Sequence, residues 1–389
     1  MKRIAFFLTV CLITSGYVLA NSNKEAETKV VSNQVNHLQS IKVLLLKDAS
    51  GVLLEAKGGY YVIDSINRAR LSTGLFGKRF VIKTFGDGLK WGEEFPKTCQ
   101  ITIMPRSSNT TFLINGIEYQ GLLHIFKKGE CLTIVNEIDV EAYVKSVLSN
   151  ENSLPQEKEA LSAVAIAART NAYANISKHN EMPWHVNGES PLYQGCALIY
   201  KASSICEAID QTCNLIMVNA AGAPFETAWT EHCAGKTASY DAIFRKESSA
   251  PHVVINAPHA ALSKQDVKWN YTITKNELGR LFNFRGIKTL ECFLDNKSGK
   301  IYALRLKAND DARDIDFITA QKIIGENNLK SNDFKVEIKG DNIIFNGFGK
   351  GLGVGLCLYS SAKMAQNGES AEKILVKFFP DTNLVNLTR

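Results

Sequence analysis

The hydrophobic pattern of this chain changes near Asn136, and that change limits the fold more than any other feature of the sequence. Over residues 41–135, short runs rich in β-branched and aromatic residues alternate with turn residues, which predicts β-strands. Asn115-Gly116 predicts a hairpin, because a type I′ turn needs positive φ at both central residues. After Asn136, apolar residues recur with helical spacing. The sequence therefore predicts an α+β fold, with a β-rich N-terminal part followed by a mixed α/β part over residues 136–389.

Two predicted helices joined by a short corner follow this change. In DVEAYVKSVL the apolar residues have amphipathic spacing, and Asp139 is suited to the N-cap. We expect the second helix to begin near Pro155, because Ser153 and Gln156 have capping-box spacing. Its many alanines allow another backbone or a ligand to approach closely. Glu151 is thus predicted to lie in a tight helix–corner–helix, fixed from both sides.

Further elements are predicted towards the C-terminus. ASSICEAIDQTC has the pattern of a helix, and IMVNAAGAPFETAW that of a hairpin around Ala221-Gly222. Strands are predicted within NFRGIKTLECFLDNKSGKIYALRL, FKVEIKG and DNIIFNGF. Helices are predicted over residues 359–367 and 370–379, ended by Gly368 and Pro380.

The N-terminus has the three parts of a secretory signal over residues 1–20. Lys2 and Arg3 precede an apolar run over residues 4–13, and Val18-Leu19-Ala20 offers a cleavage site before Asn21. A transmembrane anchor is the alternative, but the run is shorter than the ~20 apolar residues that span a bilayer. Residues 21–40 are polar and aperiodic, as in a linker. We expect an exported protein, periplasmic or in the cell envelope, without a membrane span after signal removal.

Charge and cysteine content exclude several classes of function. The net charge is only +6, and no dense Lys/Arg run with interleaved aromatics is present, so nucleic acid is not an expected partner. Nine cysteines are present, one of them inside the signal, and none forms a CxxC pair. A structural zinc site is therefore not indicated, whereas disulfides are permitted in an oxidising compartment. No metal or organic cofactor is expected.

Glu151 and Arg169 are the first candidate functional residues. A single carboxyl group can cleave a glycan by acting as acid on the leaving oxygen and then as base on a substrate hydroxyl. The alternative for Glu151 is a solvated corner carboxylate. Arg169 lies in the alanine-rich helix, where it can contact substrate or tie the helix to a neighbouring carboxylate or carbonyl.

Three further stretches carry candidate residues. In GFGKGLGVG every second residue is glycine, so an extended chain would present bare backbone on one face, either as a carbohydrate platform or at a close crossing in the core. Cys233 beside His232 can be a nucleophile with His252 or His259 as base, or a structural or disulfide-bonded cysteine. WHVNGESPLYQG has the composition of a sugar-binding loop or of an ordinary surface loop.

Several motifs in a fixed order resemble the SpoIID/LytB family, that is, stage II sporulation protein D and the amidase-enhancer proteins. The resemblance extends from about Ile41 to about Thr382. The matching motifs are INGIEYQG, EALSAVAIAARTNAY, LYQG, GKT, LKSNDFKV and the glycine run ahead of KMAQNGESAEKILVKFFPDT.

The resemblance implies an activity and a set of site residues. Family members act on bacterial peptidoglycan, the sporulation type as a lytic transglycosylase on peptide-stripped glycan and the enhancer type together with an amidase. The family's catalytic acid corresponds to Glu151. The implied substrate-binding positions are Arg169, Tyr193, Gln194, Thr237, Gly351, Gly353 and Tyr359.

This chain departs from the family pattern at three motifs. GLGVGLCL stands where the family has GHGVGMSQ, so that Leu352 and Leu358 replace a histidine and a glutamine. CAGKT stands where the family has SGGxT, and Glu151-Asn152-Ser153 stands where it has Glu-Met-Pro.

The leading expectation is a lytic transglycosylase acting through Glu151. The alternative is a non-catalytic peptidoglycan-binding protein that stimulates or positions an amidase. A cysteine peptidase using Cys233 lacks a matching base motif.

Overall fold

A computed structural model describes residues 39–188, 193–196, 199, 203–245 and 253–388. The expected signal peptide and all but the end of the expected linker lie outside these residues. Among the residues described, no helix is long and apolar enough to cross a membrane.

The β-rich first part forms two sheets whose buried side chains share one core. In chain order its strands are β1 (Ser40–Ala49), β2 (Gly51–Lys57), β3 (Tyr60–Asp64), β4 (Arg70–Gly74), β5 (Lys78–Phe85), β6 (Gly88–Trp91), β7 (Glu93–Phe95), β8 (Gln100–Pro105), β9 (Thr111–Ile114), β10 (Ile117–Tyr119), β11 (Leu122–Lys128) and β12 (Cys131–Asp139). The strand orders are β1-β12-β11-β8-β3-β4 and β10-β9-β2-β5-β6-β7. In β2, Val52, Leu54 and Ala56 are buried and alternate with more exposed residues, as expected of strands with one face in the core.

The hairpin predicted at Asn115-Gly116 is confirmed. Ile114 at the end of β9 pairs with Ile117 at the start of β10, and the two strands are antiparallel. Asn115 has φ 51° and Gly116 has φ 88°, as a type I′ turn requires.

The helix–corner–helix is present, but the second helix starts later than predicted. α1 (Val140–Ser149) is capped by the Asp139 carboxylate, which accepts from the N–H groups of Glu141 and Ala142 at 2.9 and 3.1 Å. α2 (Lys158–Lys178) has no side-chain cap, so the predicted capping box of Ser153 is wrong. Ser153 instead donates to Glu151, two residues before it.

α2 is buried along most of its length and lies at the centre of the fold. The residues from Ala160 to Ala168 are all buried, as are most of those that follow as far as Ile176. The small alanine side chains allow helices and two strands, β14 and β1, to approach α2 from several sides. The alanine-rich pattern therefore reflects close packing on nearly every face of the helix.

The rest of the chain alternates short strands and helices. In chain order these are β13 (Val186–Asn187), α3 (Ser203–Gln211), β14 (Leu215–Val218), β15 (Trp229–Thr230), α4 (Tyr240–Phe244), α5 (Pro258–Leu262), β16 (Lys268–Thr274), α6 (Lys275–Leu281), β17 (Thr289–Leu294), β18 (Ile301–Lys307), β19 (Ala312–Asp316), α7 (Phe317–Ile324), β20 (Phe334–Lys339), β21 (Asn342–Phe348), β22 (Leu356–Cys357), α8 (Leu358–Gln366), α9 (Ala371–Phe378) and β23 (Asn383–Asn386). The predicted strands β17, β18, β20 and β21 and the terminal helices α8 and α9 are confirmed.

The hairpin predicted around Ala221-Gly222 is wrong. A turn is present there, since the N–H of Asn219 donates to the carbonyl of Ala223 at 2.9 Å. However, β14 pairs with β23 near the C-terminus, and β15 pairs with β22. Both strands pair with segments that are distant in sequence, and a local sequence pattern cannot predict such pairing.

Residues 268–348 form a second apolar cluster, separate from the main core. We call this segment the inserted module and the rest of the described chain the body. The module contains the sheets β16-β21-β20 and β17-β18-β19. It leaves and re-enters the body close to β15, where His232 and Lys350 exchange backbone hydrogen bonds of 3.0 Å.

Candidate active site

The carboxylate of Glu151 is fixed through both of its oxygens. Oε1 accepts hydrogen bonds from the backbone N–H of Ser153 at 3.1 Å and from its hydroxyl at 2.6 Å. Oε2 accepts from the indole N–H of Trp229 at 3.2 Å. The backbone N–H of Glu151 donates to the carbonyl of Leu148 at 3.1 Å, which continues the end of α1. Glu151 is only partly buried, so its carboxyl group is both oriented and within reach of solvent.

Trp229 is the part of this arrangement that the sequence analysis missed. It lies in β15, which pairs in parallel with β22, so that Trp229 is opposite Leu356 and Thr230 opposite Cys357. Trp229 is itself partly buried against the main core. In the sequence, its position a few residues ahead of CAGKT is the signal that could have pointed to it, although the local pattern there predicts a hairpin.

The glycine run forms a close backbone crossing against β15. Gly349, Gly351, Gly353 and Gly355 all have positive φ, between 71° and 97°, so the run is not an extended strand. A Cβ on Gly351 would lie 2.5 Å from the Thr230 hydroxyl, and one on Gly355 would collide with the carbonyl of Ala228. These contacts favour the core-crossing interpretation of the run over the carbohydrate platform.

Thr230 connects the glycine run to the strand that carries Trp229. Its hydroxyl donates to the carbonyl of Lys350 at 2.9 Å and accepts from the N–H of Gly353 at 3.2 Å. Successive side chains of a strand point to opposite faces, so Trp229 and Thr230 lie on opposite sides of β15. Gly351 and Gly353 thus support the strand from the side away from Glu151.

Thr237 and Tyr359 both lie close to the same crossing. Thr237 is buried, and its hydroxyl accepts from the N–H of Ile255 at 2.9 Å. The N–H of Tyr359 donates to the carbonyl of Glu231 at 3.1 Å, and its ring lies 4.7 Å from the ring of His232. Tyr359 is partly exposed, so it retains a surface that a ligand can contact.

Tyr193 and Gln194 occupy the segment that packs behind α1. The Tyr193 hydroxyl donates to the side-chain oxygen of Asn136, and its ring packs against Tyr119 and Tyr143. Burial among these rings raises the pKa of Tyr193 well above its usual value. Tyr193 therefore anchors the segment in the core, whereas the neighbouring Gln194 is exposed.

Arg169 is fully buried and joins four elements. Its Nε and one terminal nitrogen each donate to the Glu141 carboxylate at 2.7 Å, a bidentate ion pair between α2 and α1. The guanidinium also donates to the carbonyls of Leu215 and Ile209, both at 3.1 Å. These contacts favour the structural interpretation of Arg169. Because Glu141 lies in α1, the pair fixes the helix whose end carries Glu151.

Cys233 does not have the surroundings of a catalytic thiol. It is buried, and a hydrogen bond with Cys357 together with desolvation raises the pKa of its thiol. The ring of His232 bonds through Nε2 to the hydroxyl of Ser263 and through Nδ1 to the N–H of Ala234. His252, one of the two bases considered, lies outside the described residues.

Comparison with known proteins identifies the family of this chain. The family described as SpoIID, stage II sporulation protein, matches residues 128–218, a segment that contains β12, the helix–corner–helix and α3. An uncharacterised protein of Chlamydia muridarum is 34% identical over 206 residues, which is 52% of this chain and 71% of the relative. One of Chlamydia pneumoniae is 35% identical over 219 residues, 56% of this chain and 78% of the relative. An uncharacterised protein of Brachyspira hyodysenteriae is 30% identical over 290 residues, which is 72% of this chain and 75% of the relative.

The matched segment includes the geometry described above. Glu151, its helical corner and Arg169 all fall within residues 128–218. The chain belongs to the SpoIID family, and this membership associates it with a cell-wall-related role.

Proposed function

We propose that this protein is an exported peptidoglycan lytic transglycosylase that cleaves glycan strands, with Glu151 as its single acid/base group. The SpoIID family is generally linked with this activity. The observation that carries the proposal is the fixed, partly exposed carboxyl group of Glu151, held by Ser153 and Trp229 at the corner between α1 and α2.

The contacts of Glu151 suit a group that gains and loses a proton during one cycle. Trp229 can only donate through its indole N–H, so it fixes Oε2 without competing for the transferred proton. The Ser153 hydroxyl can donate or accept, so it can pair with the ionised and the protonated carboxyl group alike. Neither contact has to break when the protonation state of Glu151 changes.

In the proposed reaction, the protonated Glu151 donates its proton to the glycosidic oxygen as the bond to the anomeric carbon breaks. The resulting carboxylate then takes the proton of the C6 hydroxyl of the same sugar, whose oxygen attacks the anomeric carbon and closes an anhydro ring. No water is consumed, and no second carboxylate nucleophile is needed, in contrast to retaining hydrolases. The partly exposed Trp229 adds an aromatic surface beside the acid.

The decisive experiment replaces Glu151 with glutamine. Glu151→Gln keeps the size of the side chain but removes the transferable proton, and acid/base groups typically contribute ~10²–10⁴-fold to rate. We expect cleavage of peptide-stripped glycan to fall by that factor, while glycan binding and Tm stay unchanged. Glu157→Gln is the matched control, because Glu157 lies in the same corner and, among the contacts described, its carboxylate bonds only to the side chain of Gln366.

The products test the chemistry separately from the residue. Mass spectrometry of products from intact and peptide-stripped glycan must find anhydro ends. Reducing ends would mean hydrolysis and a second catalytic group. A Glu151→Gln variant that loses stability and retains activity in proportion to its folded fraction would make Glu151 structural.

The second candidate function is that of a non-catalytic protein that binds peptidoglycan and stimulates an amidase. Two leucines in and just after the glycine run favour it. Leu358 is buried in the main core, and Leu352 packs against the module cluster, so apolar side chains occupy two positions where the family pattern has polar ones. If wild type and Glu151→Gln are equally inactive, yet both bind glycan and stimulate a cell-wall amidase, this function replaces the first.

A further inference from the structure

Two buried cysteines meet where the glycine segment crosses β15. Cys233 follows β15 and Cys357 ends β22, with side chains 1% and 0% exposed. The backbone N–H of Cys233 donates to the Sγ of Cys357 at 3.5 Å, and the two thiols hydrogen-bond to each other. They are 124 positions apart in the chain, so only the tertiary fold brings them together.

Contacts on both sides fix the two backbones at this point. Thr230 pairs with Cys357 in the parallel ladder of β15 and β22, and His232 pairs with Lys350 in an antiparallel bridge. The ammonium group of Lys300, on the module, donates to the carbonyl of Cys233 at 2.7 Å. The sulfur atoms are therefore held near each other by backbone pairing and not by the thiols alone.

The two thiols differ in ionisation. Burial opposes ionisation of Cys357, but hydrogen bonds from the Cys233 thiol and from the backbone N–H groups of Ser360 and Cys233 outweigh it and lower the pKa of Cys357. The hydrogen bond with Cys357, followed by burial, raises the pKa of Cys233. The two thiols therefore share one hydrogen bond inside the fold, which places them as partners for disulfide exchange.

We propose that Cys233 and Cys357 form an intramolecular disulfide when the chain folds in the presence of a low-molecular-weight disulfide. The thiolate of one of the two cysteines attacks one sulfur of that oxidant, which gives a mixed disulfide and releases one thiolate. The other cysteine then loses its proton, attacks the Sγ of the first and releases the second thiolate. The oxidant's S–S bond is reduced to two thiols, which take up the two protons, and the two cysteines are oxidised.

The disulfide would connect the strand that carries Trp229 to the start of α8. It would close a loop of the chain that contains the whole inserted module. Cross-linking so long a loop restricts the unfolded chain strongly, which stabilises the folded state. Because both sulfur atoms are buried, the bond should be inaccessible to reductant until the protein unfolds.

The experiment is oxidative refolding of the full chain in a buffer of reduced and oxidised glutathione. After free thiols are blocked with iodoacetamide, a non-reducing digest should contain a peptide pair linked through Cys233 and Cys357. Reductant should remove this link in denaturant but not in native buffer. The oxidised protein should melt about 5 °C above the double variant Cys233→Ser/Cys357→Ser.

Cys292→Ser is the matched control, because Cys292 is a partly buried cysteine of the module and is not in this pair. It should leave the linked peptide and the difference in Tm unchanged. Alkylation of both Cys233 and Cys357 in the refolded protein overturns the proposal, as does a glutathione adduct on either or pairing with another cysteine. If the double serine variant does not fold, the peptide map of the wild-type chain decides.

Discussion

The body and the inserted module are stabilised in different ways. The core of the body includes buried polar groups whose partners lie far away in sequence, such as Arg169 with Glu141 and Tyr193 with Asn136. The core of the module is a cluster of aromatic and aliphatic side chains from one segment, in which Phe334 and Phe345 meet edge to face at 5.5 Å. The buried ammonium group of Lys300 in the module donates to the Asp333 carboxylate within the module at 3.0 Å and to the carbonyl of Cys233 in the body at 2.7 Å.

This difference shows what each region contributes to the candidate site. A buried polar contact is satisfied in one geometry only, because a misplaced partner leaves an unpaired group in the core. The body therefore has the directional contacts needed to place Glu151. The apolar cluster of the module includes none of the side chains that bond to Glu151.

The largest expected effect is on the buried ion pair of the body. Arg169→Met leaves the Glu141 carboxylate without its partner in the interior, and breaking a buried pair costs about 3–5 kcal/mol. We expect that loss in the free energy of unfolding measured by urea denaturation.

The module offers a matched control for this substitution. Arg305 makes the same bidentate contact with Asp314, at 2.5 and 2.7 Å, but on the protein surface. Arg305→Met should leave the unfolding free energy almost unchanged, since water screens exposed pairs. If both variants lost the same unfolding free energy, burial would not explain how much an arginine–carboxylate pair stabilises this protein.

The next prediction concerns the core of the module. Phe345 is fully buried, and Phe345→Ala should cost about 3 kcal/mol through the cavity that it leaves. If the module opens separately, amide hydrogen exchange should increase in β16, β20 and β21 while α1 and α2 remain protected. A parallel increase in α2 would show that body and module unfold as one cooperative unit.

A smaller effect should appear in acid, in the first sheet of the body. A hydrogen bond from His124 at 2.7 Å, with a further one from Ser40, lowers the pKa of Glu137 from 4.5 to about 2 despite partial burial. A carboxyl group whose pKa is lower in the folded state stabilises the fold above pH 4.5, and this contribution is lost as the pH falls towards 2.

Glu137→Gln tests this linkage. The variant should lose about 2 kcal/mol relative to wild type at pH 7, and the gap should close between pH 4.5 and pH 2. Urea titrations at pH 7, 4.5 and 3 measure it. If the difference in unfolding free energy between wild type and Glu137→Gln stayed constant over that range, the Glu137 side chain would stabilise the fold through its packing and not through its charge.

The sequence predicted those features of the fold that depend on local pattern. The strands of the first part, the turn at Asn115-Gly116 and the N-cap of α1 follow from alternation, turn chemistry and capping, all of which act over a few residues. The predicted start of α2 was wrong because the hydroxyl of Ser153 donates to the Glu151 carboxylate and does not cap the helix. No sequence pattern shows whether a serine at this position bonds to the preceding glutamate or to the first turn of the helix.

The rest of the site depends on contacts between distant segments. Trp229 reaches Glu151 only because β15 pairs with β22, more than 120 positions further along the chain. The conformation of the glycine run could not be predicted either, since alternating glycines are compatible both with an extended strand and with a series of positive φ angles. The close approach of Ala228 and Thr230 decides between them, and both lie in β15 or next to it.

The smallest predicted effect compares one indole hydrogen bond of the body, that of Trp229, with one of the module, that of Trp269. Trp229→Phe keeps an aromatic ring but removes the donor to Oε2 of Glu151. If Glu151 is the catalytic acid/base group, loss of one orienting hydrogen bond should lower kcat/KM on glycan about tenfold, with little change in Tm. Single-substrate kinetics on stripped glycan measures this change.

Trp269→Phe is the corresponding change in the module, where the indole donates to the hydroxyl of Ser331 at 3.1 Å. It should lower stability slightly and leave kcat/KM unchanged, because this contact does not reach Glu151. If both variants reduced activity equally, the module would also position the site, and the division of roles between the regions would be wrong. If neither did, Ser153 alone would suffice to orient the carboxyl group, and the importance of the β15–β22 pairing would lie in folding and not in catalysis.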